Sequence, residues 1–341
     1  MLFDLRPKES RDELFNREEE LKVLDSAVAR KDPLVAVLGI RRIGKTSLLK
    51  SFIKDYVGVY IDVRGVRRLS DLYRRVSEGL VSGLGRLRDV LKYIRGVRVA
   101  GFEVELKWRG RDSISFLGLL EELSRRCEEV VIVIDEAQEI RGPLSVEVKS
   151  AIAYAYDHLS NVTIVLSGSE VGLLKDFLGT DNPDSLLYGR YVLELSLSRF
   201  SRDLSIEFLK RGFSEVGVSV GDDVIEEAVE LFDGIVGWLV YFGRSYLDGV
   251  RDLNAVADKA VNLALKELSR LSRREKLVLK AVANGAKSWS AVRRYVEEIE
   301  GVSIPKSTLT RIIKKLEKLS IIKNYEFLDP IYARAAKRIV K

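Results

Sequence analysis

Five short runs of β-branched and aliphatic residues mark the first two hundred positions: Leu34–Leu38, Val57–Val63, Val130–Ile134, Val162–Leu166 and Tyr191–Leu197. Each is too short for a helix and is dominated by apolar residues. The runs therefore predict buried strands of a parallel sheet. Stretches with apolar residues at helical spacing separate them, which predicts an α/β core. Val97–Trp108 departs from this pattern, alternating about a central Gly101, and predicts a hairpin inserted between the second and third strands. After Leu197 the period is that of helices alone. Ser272 and Glu275 have the spacing of a capping box and open a further unit. The expected organisation is a core over 1–199, a helical unit over 200–268 and a C-terminal unit over 269–341, with no internal repeats.

The C-terminal unit reads as three amphipathic helices, the third beginning near Pro305, followed by a stretch Ile321–Tyr332 that would form a wing. In the third helix Leu309, Ile312, Ile313, Leu316 and Leu319 share one face, and Ser307, Arg311, Lys314 and Lys318 share the other. A helix apolar inside and Ser/Arg/Lys outside suits a major groove, with lysines neutralising phosphates and Arg311 and Ser307 facing base edges. Charge adds weight to this reading. Residues 271–341 carry 17 Lys and Arg against 7 Asp and Glu, a net +10, whereas the remainder is −4 within a total of +6. The asymmetry points to a polyanion, duplex DNA, as partner. A protein partner for the same helix is the alternative, because lysine-rich outer faces also occur on protein-binding modules.

Composition narrows the chemistry. The chain has 341 residues, 46% hydrophobic and 32% charged, which suits a folded, water-soluble protein of two or three domains. No apolar run approaches the roughly 18 residues of a membrane span, and the opening MLFDLRPKESRDELF lacks the apolar core of a signal peptide, so a cytoplasmic protein is expected. One cysteine, Cys127, and one histidine, His158, exclude a disulfide framework, a cysteine zinc site and His-rich metal sites, and count against a Ser-His-Asp enzyme. Both read as structural positions. A single Gln among many charged residues hints at a thermophile.

The chemistry-bearing motif is Gly39-Ile40-Arg41-Arg42-Ile43-Gly44-Lys45-Thr46, followed by Ser47, with an apolar strand before it and an apolar-periodic helix after it. Glycines let backbone N–H groups curl around phosphate oxygens, and the helix N-terminus adds its positive dipole there. Lys45 would reach the terminal phosphates, and the Thr46 hydroxyl would ligate Mg²⁺. The run Val130–Glu136 delivers Asp135 and Glu136 to the C-terminal edge of the sheet, where ligands bind in open α/β folds. Asp135 would hold Mg²⁺ directly or through water, and Glu136 would be the base for the attacking water. One strand, 57–63, separates the loop strand from this one. That order, with the extra Glu, marks the additional-strand class of hydrolysing NTPases. The absence of an N-K-x-D guanine signature favours ATP.

Two further features stay open between chemistry and architecture. Ser167 and Ser169 end the fourth strand, where a polar side chain contacts a γ-phosphate or lytic water as a sensor, or simply makes a turn. Arg190 precedes the fifth strand, where it would act as an arginine finger on a γ-phosphate or form an ordinary salt bridge.

Together, GIRRIGKTSLL (39–49), VIVIDEAQEI (131–140) and LSGSEVG…LLYGR (166–190) resemble the archaeal AAA+-related P-loop ATPases of the initiator-like, signal-transducing branch. Leu14–Leu21 matches that family's entry box, F-x-x-R-E-x-E-L, and Gly234–Leu239 is similar to its G-x-P-G-W-L, with Val236 in place of Pro. The resemblance implies a five-stranded sheet in the order 5-1-4-3-2, a helical lid and a C-terminal winged helix. It also implies that Phe15 and Arg17 pack near the adenine and that Gly237 faces the nucleotide. The implied function is Mg²⁺-dependent ATP hydrolysis that moves the lid and winged helix between ATP and ADP states, alone or as a homo-oligomer.

Overall fold

The computed structural model describes residues 1–101, 103–111 and 113–339. Its strands are β1 (Leu34–Leu38), β2 (Gly58–Asp62), a hairpin of β3 (Val97–Ala100) and β4 (Glu103–Leu106), β5 (Val130–Asp135), β6 (Val162–Gly168), β7 (Leu193–Ser196), and a small wing of β8 (Ile322–Lys323) and β9 (Glu326–Phe327). The main sheet is wholly parallel and runs β2-β5-β6-β1-β7. With its five strands numbered by themselves, this is the order 5-1-4-3-2 that the resemblance implies.

Among the described residues, the helices of the core are α1 (Glu18–Ala29), α2 (Lys45–Ile53), α3 (Leu69–Ser82), α4 (Leu84–Leu91), α5 (Phe116–Arg126), α6 (Pro143–His158) and α7 (Val171–Leu178). The sheet's uniformly apolar runs have a direct cause. Val35, Val37, Val131, Val133 and Val165 pack on one face with Leu24, Leu48 and Phe52 of α1 and α2. The alternate residues Ala36, Ile132, Ile134, Ile164 and Leu166 pack on the other face with residues of α3, α5 and α6. Both faces of the inner strands are covered, which suits their apolar runs, whereas the edge strand β7 alternates, with Glu194 and Ser196 exposed. The fifth strand is shorter than its apolar run. Its pairing with β1 begins at Leu193, and Tyr191 lies exposed at this sheet edge.

The helices α8 (Arg202–Ser214), α9 (Asp222–Phe232), α10 (Val236–Leu247) and α11 (Leu253–Leu268) follow, and then α12 (Arg273–Ala283), α13 (Trp289–Arg294), a π turn over Tyr295–Ile299, α14 (Lys306–Lys318) and α15 (Pro330–Lys337). Ser272 and Glu275 form the capping box that opens α12. The two sets of helices share one core, in which Leu268 of α11 and Trp238 of α10 join Leu277, Ile331 and Ala335 of the C-terminal unit. The wing is narrower than its sequence stretch. Asp329 accepts the Ile331 N–H at 2.8 Å and Pro330 occupies the first helical turn, so the segment expected to end the wing instead starts α15. Among the described residues, no helix is long and apolar enough to cross a membrane.

Candidate active site

The loop after β1 is shaped by close approach and by one left-handed residue. A Cβ on Gly39 would lie 2.9 Å from Ile43 and 3.2 Å from the Leu197 carbonyl. Gly44 adopts φ +99° as the N-cap of α2 and carries no side-chain cap. The leading N–H groups of α2 are therefore left for an anion. Arg17 braces the loop from behind, donating to the carbonyls of Ile43 (3.2 Å) and Ser198 (3.0 Å) and pairing with Glu20. Phe15 packs edge-on to Phe200 and Phe208. Loop, Phe15 and Arg17 line one cavity of about 540 Å³ together with Glu136, Val236 and Gly237.

The acidic pair stands beneath the loop. Asp135 is fully buried, and its Oδ2 accepts from Thr46 Oγ1 at 2.8 Å and Tyr60 Oη at 2.5 Å. Its Oδ1 accepts from Ser167 Oγ and from the Glu136 N–H at 3.1 Å. A threonine hydroxyl against a carboxylate, at the head of a phosphate loop, is a hard-oxygen donor set that suits Mg²⁺. Tyr60 escaped sequence reasoning, although a lone phenol inside the apolar run VGVYIDV was a usable signal. Burial, and then the Asp135 charge, push its pKa upward, so the phenol remains a donor.

Lys45 is 5% exposed, and its Nζ donates to the carbonyls of Gly39 (2.6 Å) and Ile40 (2.9 Å). Burial draws its pKa down to about 8, against the opposing pull of Glu136 and Asp135. Glu136 follows β5 in a left-handed conformation, φ +59°, which a Glu rarely adopts. Its Oε2 accepts from Gln138 Nε2 (2.5 Å), Ser169 Oγ (2.7 Å) and the Ser169 N–H (3.2 Å). Burial pushes the carboxyl up, but these hydrogen bonds and the Lys45 charge more than offset it and hold its pKa below the ordinary value. Both strand-end serines are thus bonded to the acidic pair. The chain's one glutamine is buried against the proposed base.

Arg190 lies elsewhere. Its guanidinium makes two hydrogen bonds to Asp157 on α6, at 2.6 and 3.2 Å, and a third to the Leu186 carbonyl. Within its own chain it therefore forms the salt bridge and does not line the cavity.

The loop arginines make the connection that no local pattern announced. Arg41 and Arg42 donate to the two oxygens of Glu267 on α11, at 3.0 and 2.7 Å. Tyr332 of α15 donates to the same carboxylate. Arg42 also lies 4.1 Å from the Trp238 ring centre, and Trp238 donates to Asp329 at 2.9 Å. The residue after Val236 contacts the phosphate loop directly. The Gly237 N–H donates to the Arg42 carbonyl at 2.8 Å, and a Cβ there would lie 2.6 Å from Arg42 Cβ.

On α14, Ser307, Arg311 and Lys314 are exposed. Lys318 is not free: its ammonium binds both oxygens of Asp176 on α7, at 2.7 and 2.9 Å. A Cβ on Gly172 would lie 2.5 Å from Lys318 Cα, and the Val171 N–H donates to Ser320 Oγ at 2.9 Å. The C-terminal end of α14 is thus docked on the core, and the face expected to meet DNA is reduced to its N-terminal two thirds.

Comparison with known proteins matches two parts of the chain. Residues 14–242 match the family model described as an ATPase domain predominantly from Archaea. Residues 271–328 match the winged helix-turn-helix domain found at the C-terminus of MCM proteins. A Walker-type ATPase of Pyrococcus abyssi is similar over 99% of this chain and 100% of its own, at 36% identity and a TM-score of 0.84. The ORC1 protein of Aeropyrum pernix, solved with DNA, aligns over 90% of this chain and 84% of its own at 19% identity and a TM-score of 0.44. The RuvB branch migration motor of Thermotoga maritima aligns over 94% and 92% at 16% identity and a TM-score of 0.45. No curated protein matches.

Proposed function

The chain belongs to the family of ATPase domains found predominantly in Archaea, and on that premise we propose that it is a Mg²⁺-dependent ATP switch whose nucleotide state sets the position of a basic winged helix on duplex DNA. The single observation that carries this reading is the junction at Glu267. One carboxylate holds both arginines of the phosphate loop and the Tyr332 hydroxyl of the winged helix. Anything that draws Arg41 or Arg42 toward phosphate oxygens loosens the group that fastens α15.

The chain's own residues suit hydrolysis. Lys45 would exchange two carbonyls for phosphate oxygens. Mg²⁺, held by Thr46 and Asp135, would neutralise phosphate charge. Glu136, ionised at neutral pH and fixed by Gln138 and Ser169, would take the proton of the attacking water. A second path to the winged helix runs along the chain: Ser169 bonds the base, and two residues on, Val171 bonds Ser320.

Duplex affinity measured by fluorescence anisotropy, with ATP and then with ADP, tests the coupling. The unaltered protein is expected to show about a tenfold difference between the two states, and Glu267→Ala to reduce it below about twofold, within the usual range of coupling energies. A variant that keeps the full difference overturns the junction's role. For the DNA face, Arg311→Ala with Lys314→Ala is expected to flatten the salt dependence by about two units of slope. A protein with no duplex affinity at moderate salt would favour the protein-facing reading, which the docking of Lys318 on Asp176 supports.

A further inference from the structure

The segment ahead of the family match forms a strap along one wall of the nucleotide cavity. At one end Phe3 is fully buried in the lid, 4.9 Å from the Phe213 ring and 5.9 Å from that of Phe208. The Leu2 N–H donates to Glu215 at 2.6 Å. At the other end the segment is sewn to α2, the helix that follows the phosphate loop. The Lys8 N–H donates to Ser47 Oγ at 3.1 Å, Glu9 pairs with Lys50 at 2.9 Å, and Ser51 Oγ donates to the Ser10 carbonyl at 3.1 Å. Between these anchors Asp4 to Lys8 line the cavity, stiffened where the Arg6 N–H donates to the Asp4 side chain at 3.0 Å.

The seat of Phe3 is specific. Gly212 lies inside α8 and Gly243 inside α10, both helix-interior positions that disfavour glycine relative to alanine. A Cβ on Gly212 would lie 2.3 Å from Phe3 Cζ, and one on Gly243 2.5 Å from its Cδ1. Two helices thus lack a side chain where this ring sits. The matched family span begins only at residue 14, so the strap lies outside it.

We infer that Asp4–Lys8 is a working wall of the nucleotide site, lying against base and ribose, and that Phe3 is the positioning residue whose release sets the rate of nucleotide exchange. The inference rests on the nucleotide-site reading above. Phosphates take the loop end of the cavity, at Gly44 to Ser47. That leaves the base and ribose the part walled by the strap, Phe15 and Tyr241. The strap spans lid and core, so nucleotide cannot leave past it without the Phe3 ring shifting or the segment bowing out.

The test uses the full-length protein and radiolabelled ADP chased with unlabelled ADP, which leaves the ribose unmodified. Phe3→Ala and Gly212→Ala both unseat the ring, the second while improving the helix that holds it. Each is expected to speed ADP release by about tenfold, since such contacts act mainly on dissociation. In the unaltered protein, ADP is expected to slow hydrogen exchange at the amides of Leu5, Arg6 and Lys8. Wild-type release rates in both folded variants, or exchange at these amides indifferent to ADP, overturn the inference alone. Failure of the unaltered protein to bind ADP overturns the nucleotide-site reading and the inference with it.

Discussion

Glu136→Gln is expected to bind ATP as the unaltered protein does and to lose turnover by about 10²- to 10⁴-fold, the span over which positioned general bases contribute. The substitution is chosen for what it preserves. The amide keeps an oxygen acceptor for Gln138 and Ser169, which hold the carboxylate at 2.5 and 2.7 Å, so the loop between β5 and α6 has no reason to move. It removes only the capacity to take a proton. Phosphate release in steady state and ATP titration by calorimetry separate the two effects. Turnover within about threefold of the unaltered protein would remove Glu136 from the base role. The same hydrogen bonds set the acid limb. With its pKa held below the ordinary carboxylate value, Glu136 is ionised throughout the neutral range, so activity should fall only as pH drops into the acidic region.

The second large effect concerns Lys45. Lys45→Ala is expected to weaken ATP binding by about a hundredfold, in line with removing one partner of a buried charge pair. A distinctive pH dependence accompanies it. In the free site the ammonium is buried and its pKa stands at about 8. Phosphate oxygens nearby must raise that value, so the complex holds the proton more tightly than the free protein. Affinity is therefore full below about pH 8 and falls above it, approaching tenfold per pH unit until the pKa of the complex is reached. Binding above pH 8 takes up a proton, which calorimetry in buffers of different ionisation enthalpy detects. In Lys45→Ala the profile should be flat over this range. A flat profile in the unaltered protein would show that Lys45 does not face the phosphates.

Much of this site could be read without coordinates because its logic is local. The phosphate loop is eight consecutive residues between a strand and a helix, and the acidic pair are neighbours at a strand end. Ser167 and Ser169 could be located but not interpreted. Whether a strand-end serine is a turn or a hydrogen-bond donor depends on what the adjacent strand presents, and β5 presents Asp135 and Glu136. Tyr60 was hidden for the same reason. Its role is fixed by the register that sets β2 beside β5, Asp62 opposite Asp135.

The amino-acid sequence by itself determined the local elements: buried strands from apolar runs, the capping box at Ser272, the phosphate loop, and a basic amphipathic α14. Each depends on residues within about one turn or one strand of each other, where spacing alone decides which side chains meet. Tertiary structure decided everything that joins distant segments. It brought Glu267 to the loop arginines, turned Lys318 from the expected DNA face to Asp176, gave Arg190 to Asp157, and seated Phe3 between two glycines more than two hundred residues away. Such pairings depend on how whole helices pack around a shared core. Many residues contribute weakly to that packing, and no single spacing in the chain records it.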